Sequence, residues 1–237
     1  MEFRLLDAFR NAFEGKPYFH RNPTIGDRVA QWLYEDLYHL GKSQVLAGRI
    51  ERKEIVLNVR NLRVGVSARR GDGTLGEAVP GSAPVVDEGF TVARGQVATV
   101  DIGVEVKILA KSMIKQIDRV KRDLIGQIAE FKKGGDRPIC IGIVGINWAT
   151  QYHSFEGDKE YDTKGTGARP HPATEAKEAE RRLDRDVRPD FDEFLILKLR
   201  AKNQPPYAFS WVDGADTALS YGALLTRVSR KYDERFP

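Results

Sequence analysis

The chain has 237 residues, 41% of them hydrophobic, enough to bury a large core in one sizeable domain or two small ones. Its 38 Lys and Arg against 34 Asp and Glu leave a net charge of only +4, so any preference for nucleic acid has to come from where the charges sit rather than from their sum. A lone cysteine, Cys140 in "PICIGIVGINWA", excludes an internal disulfide framework, and no run of 18 apolar residues or signal-peptide core is present. These features point to a soluble protein of the reducing cytoplasm with no membrane contact.

In chain order, "TIGDRVAQWLYEDLYHLGKS" (24–43) spaces Val29, Trp32, Leu33, Leu37 and Leu40 as one face of a helix, with Gly41 placed to end it. Residues 44–66 carry short β-branched runs that predict one or two strands, and the Gly- and Pro-rich stretch 68–84 predicts a loop. Two strands are expected over 85–109 around "ARGQ". A long amphipathic helix over 110–133 follows, with Ile117, Val120, Leu124, Ile128 and Phe131 inward, and then a strand at 138–147. After a polar, turn-rich stretch (150–173) come a charged helix (174–186), strands near 191–200 and 206–212, and a last helix near 215–232. The alternation predicts an α/β fold.

The segment "GQVATVDIGVEVKILAKS" holds the chemistry. Residues two apart in a strand share a face, so Val100, Ile102, Val104, Val106 and Ile108 make a core face, while Asp101, Gly103, Glu105 and Lys107 line the other. "VVDEGFTVA" has the same parity: Val86, Phe90 and Val92 against Asp87, Gly89 and Thr91. Paired as a hairpin through Arg94, Gly95 and Gln96, the two strands bring Asp87 opposite Gly103 and diagonal to Glu105, roughly 7–8 Å away, where two carboxylates share a cation over a small residue. A strand whose odd face simply meets water is the competing reading.

An Asp near the start of one hairpin strand, Glu-x-Lys in the next and a long helix directly after resemble the PD-(D/E)XK nuclease superfamily. The resemblance covers about residues 26–148 and maps the motif onto Asp87, Glu105 and Lys107, with "VVD" standing where the family has Pro-Asp. It implies a restriction-endonuclease-like core, a mixed central β-sheet flanked by helices, within a single domain (1–237) whose C-terminal extension is 149–237. It also implies Mg²⁺, with Mn²⁺ as a substitute, held by Asp87, Glu105 and the Val106 carbonyl. An acidic residue on the first helix joins the site in some members, and Glu35 is the candidate, with Asp36 second. Gln127 with Phe131 stands where some members carry Gln-xxx-Tyr.

The implied activity is hydrolysis of a phosphodiester, with DNA the expected substrate and RNA a second one, in an endonuclease of restriction or phage-defence type acting as a homodimer or beside a partner subunit. The alternative is a catalytically inert nucleic-acid-binding or structural subunit of a larger complex that keeps the fold. Lys107 acts either as the base on a metal-bound water or as an ammonium that stabilises the transition state. Lys111, Lys115, Arg119 and Arg122 recur every three or four residues and form a basic stripe on which phosphates could run, or a merely solvated helix face.

Overall fold

The computed structural model describes residues 2–19, 24–63, 72–133, 137–156, 159–165 and 171–237. Helices α1 (Arg4–Asn11), α2 (Thr24–Leu40) and α3 (Gln44–Glu51) lead into strands β1 (Ile55–Arg63), β2 (Gly73–Ala78) and β3 (Arg94–Leu109). The long helix α4 (Met113–Lys132) and β4 (Ile139–Asn147) follow, then a hairpin of β5 (Tyr152–Glu156) and β6 (Lys159–Thr163). Helix α5 (Pro172–Asp186), β7 (Glu193–Ala201), β8 (Phe209–Trp211) and α6 (Gly214–Arg235) complete the chain.

The fold is mixed α/β. Six strands in the order β1-β2-β3-β4-β7-β8 form the central sheet, and β5 with β6 forms a separate ribbon. Pairing is antiparallel for β1/β2, β2/β3 and β7/β8 and parallel for β3/β4 and β4/β7. Strand β1 also pairs in parallel with the start of β3, which curls this end of the sheet. The segments after residue 149 continue the same sheet through β7. Among the described residues, no helix is long and apolar enough to cross a membrane.

The period-2 pattern of β3 decides which helices cover which face. Ile102, Val104 and Val106 join Ile139, Ile141 and Ile143 of β4 in a core with α1, α2 and α6. On the opposite face Leu109, Cys140 and Val144 pack beneath α4 and α5. The inward stripe of α4 is the one predicted, Ile117, Val120, Leu124, Ile128 and Phe131 all being buried. Phe131 lies over Gly103, where even a Cβ would come within 2.5 Å of its ring. The space expected at Gly103 for a cation is therefore filled by an aromatic side chain.

Three further expectations fail. Residues 44–51 are helical rather than extended, because Ser43 caps α3 by accepting the Leu46 N–H at 2.9 Å while Leu46 and Ile50 turn inward. The loop expected at 68–84 contains β2, residues 64–71 lying outside the described residues. The hairpin over 85–109 does not form: Val85 makes a single bridge to Arg94, Val85 and Val86 are exposed, and β3 takes β2 as its antiparallel partner.

Candidate active site at the end of strand β3

The register between β2 and β3 sets Gly73 against Val104, Thr74 against Gly103 and Leu75 against Ile102. One further step along this ladder brings Asp72, the residue just ahead of β2, beside Glu105. The contact is direct at the backbone, where Asp72 Oδ2 accepts the N–H of Val106 at 2.7 Å. Helix α2 braces the junction. The Tyr34 hydroxyl lies 3.2 Å from the Gly73 carbonyl and 3.1 Å from that of Ile102. In the first turn of α2, a Cβ on Gly26 would sit 2.4 Å from Asp72 Oδ1. Glycine thus lets the aspartate lie against the helix backbone.

The odd face of β3 is not wet. Asp101 is 2% and Glu105 6% exposed. Lys107 Nζ forms an ion pair with Glu105 Oε1, while Glu105 Oε2 is buried with no hydrogen-bond partner among the described residues. Burial, reinforced by the negative charge of Asp72, pushes the Glu105 carboxyl up to about 7 against the opposing pull of Lys107. A buried carboxylate with a second one beside it and one oxygen unsatisfied is a locus that favours a cation. The N–H and C=O of a strand residue point to the same edge, so the Val106 carbonyl faces the Asp72 side as well. Among the described residues, no group of three or more His, Cys, Asp or Glu side chains gathers at one point. The oxygen ligands offered to a cation here are thus the two carboxylates and this carbonyl, a hard donor set that fits Mg²⁺ with water completing its shell.

The other candidates lie elsewhere. Asp87 is held in an ion pair by Arg94, the first residue of β3, whereas the charges acting on Glu105 are those of Asp72 and Lys107. Glu35 stands nine residues beyond Gly26, about 13 Å along the helix axis at 1.5 Å per residue. Fully buried, it accepts the N–H groups of Thr91 and Val92 at 2.8 and 2.7 Å, so it anchors the segment before β3. Asp36 accepts the Arg4 and Leu5 N–H groups, both at 3.0 Å, and fastens the start of α1. Asp101 binds Arg49 of α3 and Tyr232 of α6. Gln127 is buried on the core side of α4. His153 pairs with Asp162 across the β5–β6 hairpin.

A cavity of about 380 Å³ opens beside Asp72, Val106 and Lys107, bounded by α4 through Gln116 and Arg119. Lys115, Arg119 and Arg122 are exposed along one side of that helix, and Lys111 is half-buried just before it. Of these four, Arg119 reaches the cavity. Asp72 escaped the sequence reading because its strand carries almost no apolar pattern; the one signal was an aspartate between two glycines in "RGDGT". No protein-family model matches this chain, and no curated protein is similar enough to it to count as a relative.

Proposed function

We propose that the chain is a Mg²⁺-dependent nuclease of PD-(D/E)XK type in which Asp72, rather than Asp87, joins Glu105 and Lys107. The observation that carries this reading is the buried Glu105 Oε2, without a hydrogen-bond partner among the described residues, beside a second carboxylate and a lysine. The order of elements supports it too: a hairpin of β2 and β3, then α4, then β4, with the aspartate ahead of one hairpin strand and Glu-x-Lys in the other. Asp72, Glu105 and the Val106 carbonyl would hold the ion, whose chemistry is to polarise a phosphate and acidify a water. Lys107, salt-bridged to Glu105 and one-quarter exposed at the cavity, would orient that water, take its proton or neutralise charge on the phosphate. The restriction-endonuclease-like core, DNA as substrate and a restriction or phage-defence role follow from the resemblance. An inert subunit would have no need for a buried carboxylate, a second one beside it and a lysine.

Purified protein incubated with supercoiled plasmid, linear duplex and single strands, with and without Mg²⁺, tests the reading. Metal-dependent cleavage lost in Lys107→Ala, with nucleic-acid binding retained, is the expected result. Undiminished cutting in EDTA, or no cutting of any substrate with Mg²⁺, overturns it.

A further inference from the structure

The cavity beside Lys107 is more than a solvent notch. One wall is aromatic, built by Phe13, Tyr18 and Phe19 from the segment after α1. Phe13 and Tyr18 are fixed edge to face, their centroids 4.8 Å apart, and both are buried. Phe19 is 59% exposed at the rim, an unusual exposure for a phenylalanine beside a polar cleft. The α4 side carries Val120 and three polar residues: Gln116, whose amide donates to the Lys111 carbonyl and accepts from Arg119, the Arg119 guanidinium and the Asp123 carboxylate. Asp72 and Lys107 line the same cavity.

We infer that this cavity is a nucleoside pocket: the nucleotide adjoining the scissile phosphate is bound unpaired, its base against Phe19 and its hydrogen-bonding edge towards Gln116 and Asp123. The inference rests on the nuclease reading for the position of the phosphate, which lies at Lys107. An exposed aromatic ring at Phe19, beside amide and carboxylate groups, matches the two recognisable features of a base, its π-face and its polar edge. The volume of about 380 Å³ falls at the small end of the range for small-ligand sites, suited to one nucleotide and too small for a base pair with its backbones. The substrate class is therefore a single strand, a strand end, or a duplex from which one nucleotide is extruded, in deoxyribo- or ribonucleic acid.

The test uses the full chain with Lys107→Ala as a non-cutting background, together with deoxy and ribo oligonucleotides that carry one 2-aminopurine. Single strands should bind with quenched fluorescence as the probe base stacks. Phe19→Ala should weaken binding about ten-fold or more and abolish the quenching, while Phe19→Trp should restore both. Gln116→Ala should weaken binding but keep the quenching. Wild-type-like affinity and quenching in Phe19→Ala overturn the pocket. In parallel, the otherwise native chain is assayed for cleavage with Mg²⁺. Cleavage at equal rates with and without Phe19 removes the pocket and leaves the nuclease reading intact. Absence of all cleavage removes that reading, and the pocket's role with it. The arm that binds, deoxy or ribo, names the nucleic acid.

Discussion

Asp72 accepts the main-chain N–H of Val106 at 2.7 Å, which ties the residue ahead of β2 to the one between Glu105 and Lys107. The bond fixes a carboxylate that stands just outside the β2 ladder, and the second oxygen faces Gly26 at the start of α2. Asp72→Asn should therefore abolish metal-dependent cleavage and weaken Mg²⁺ or Mn²⁺ binding in isothermal titration. Asp87→Asn should keep both, since Asp87 serves Arg94. Loss of metal binding in the Asp87 variant with retention in the Asp72 variant would reverse the assignment.

Gly26→Ala separates placement from folding. The new methyl would meet only the tip of the Asp72 side chain, which can rotate away, and alanine favours a helix over glycine by about 1 kcal/mol. The melting temperature should hold or rise while metal affinity and cleavage fall. A variant with unchanged activity would show that Asp72 tolerates displacement and is not a ligand.

The contrast between β2 and the 85–93 segment shows why half of the candidate site was legible in the sequence. In β3 the apolar residues alternate with polar ones, so parity alone placed Val104 and Val106 in the core and Glu105 and Lys107 on the other face. "GTLGEA" has one large apolar residue, Leu75, and becomes a strand because β1 and β3 flank it and Tyr34 holds its first carbonyl. Burial there comes from neighbours and leaves no periodic trace. "VVDEGFTVA" has the trace without the strand: Val85 and Val86 face solvent, and the two N–H groups of Thr91 and Val92 are spent on Glu35. Glu105 and Lys107 could be read from local pattern, whereas their partner depended on a pairing between segments about thirty residues apart in sequence.

Glu105 gives the metal-free protein a pH signature. Its carboxyl is raised from 4.5 to about 7 by burial and by Asp72, so the folded state binds its proton more tightly than the unfolded chain does. The stability this contributes is fully present below pH about 4.5 and is lost as pH rises through about 7. In EDTA, the wild type should lose denaturation free energy relative to Glu105→Gln across that window. Parallel curves for the two proteins would contradict the raised value.

Asp101 lies two turns of the pleat before Glu105 and does different work. It is 2% exposed and joins Arg49 at 2.8 Å and Tyr232 at 2.7 Å, linking β3 to α3 and α6. Asp101→Asn leaves part of this network unsatisfied and should cost about 1–3 kcal/mol of stability by denaturant titration. Cleavage measured well below the melting temperature should persist, because the carboxylates near Lys107 are untouched. Selective loss of activity in a fully stable variant would draw Asp101 into the site.

The basic stripe on α4 separates affinity from chemistry. Lys115 and Arg122 are exposed and on the same side as Arg119, which reaches the cavity, so a strand whose scissile phosphate lies at Lys107 would pass along them. Asp118 and Asp123 are exposed on the same helix, so the face is not uniformly positive and its contribution depends on which phosphates the individual cations reach. For every phosphate that a substitution leaves without its cation, binding should release about one condensed counterion fewer. Replacing Lys115 and Arg122 with Gln should therefore weaken binding to all sequences alike and flatten the log-log salt dependence by about one to two units. At saturating nucleic acid the cleavage rate should stay close to that of the wild type, since neither residue lines the cavity. An unchanged slope would return this face to solvent, and a lower rate at saturation would move the two residues from the binding path into the reaction itself.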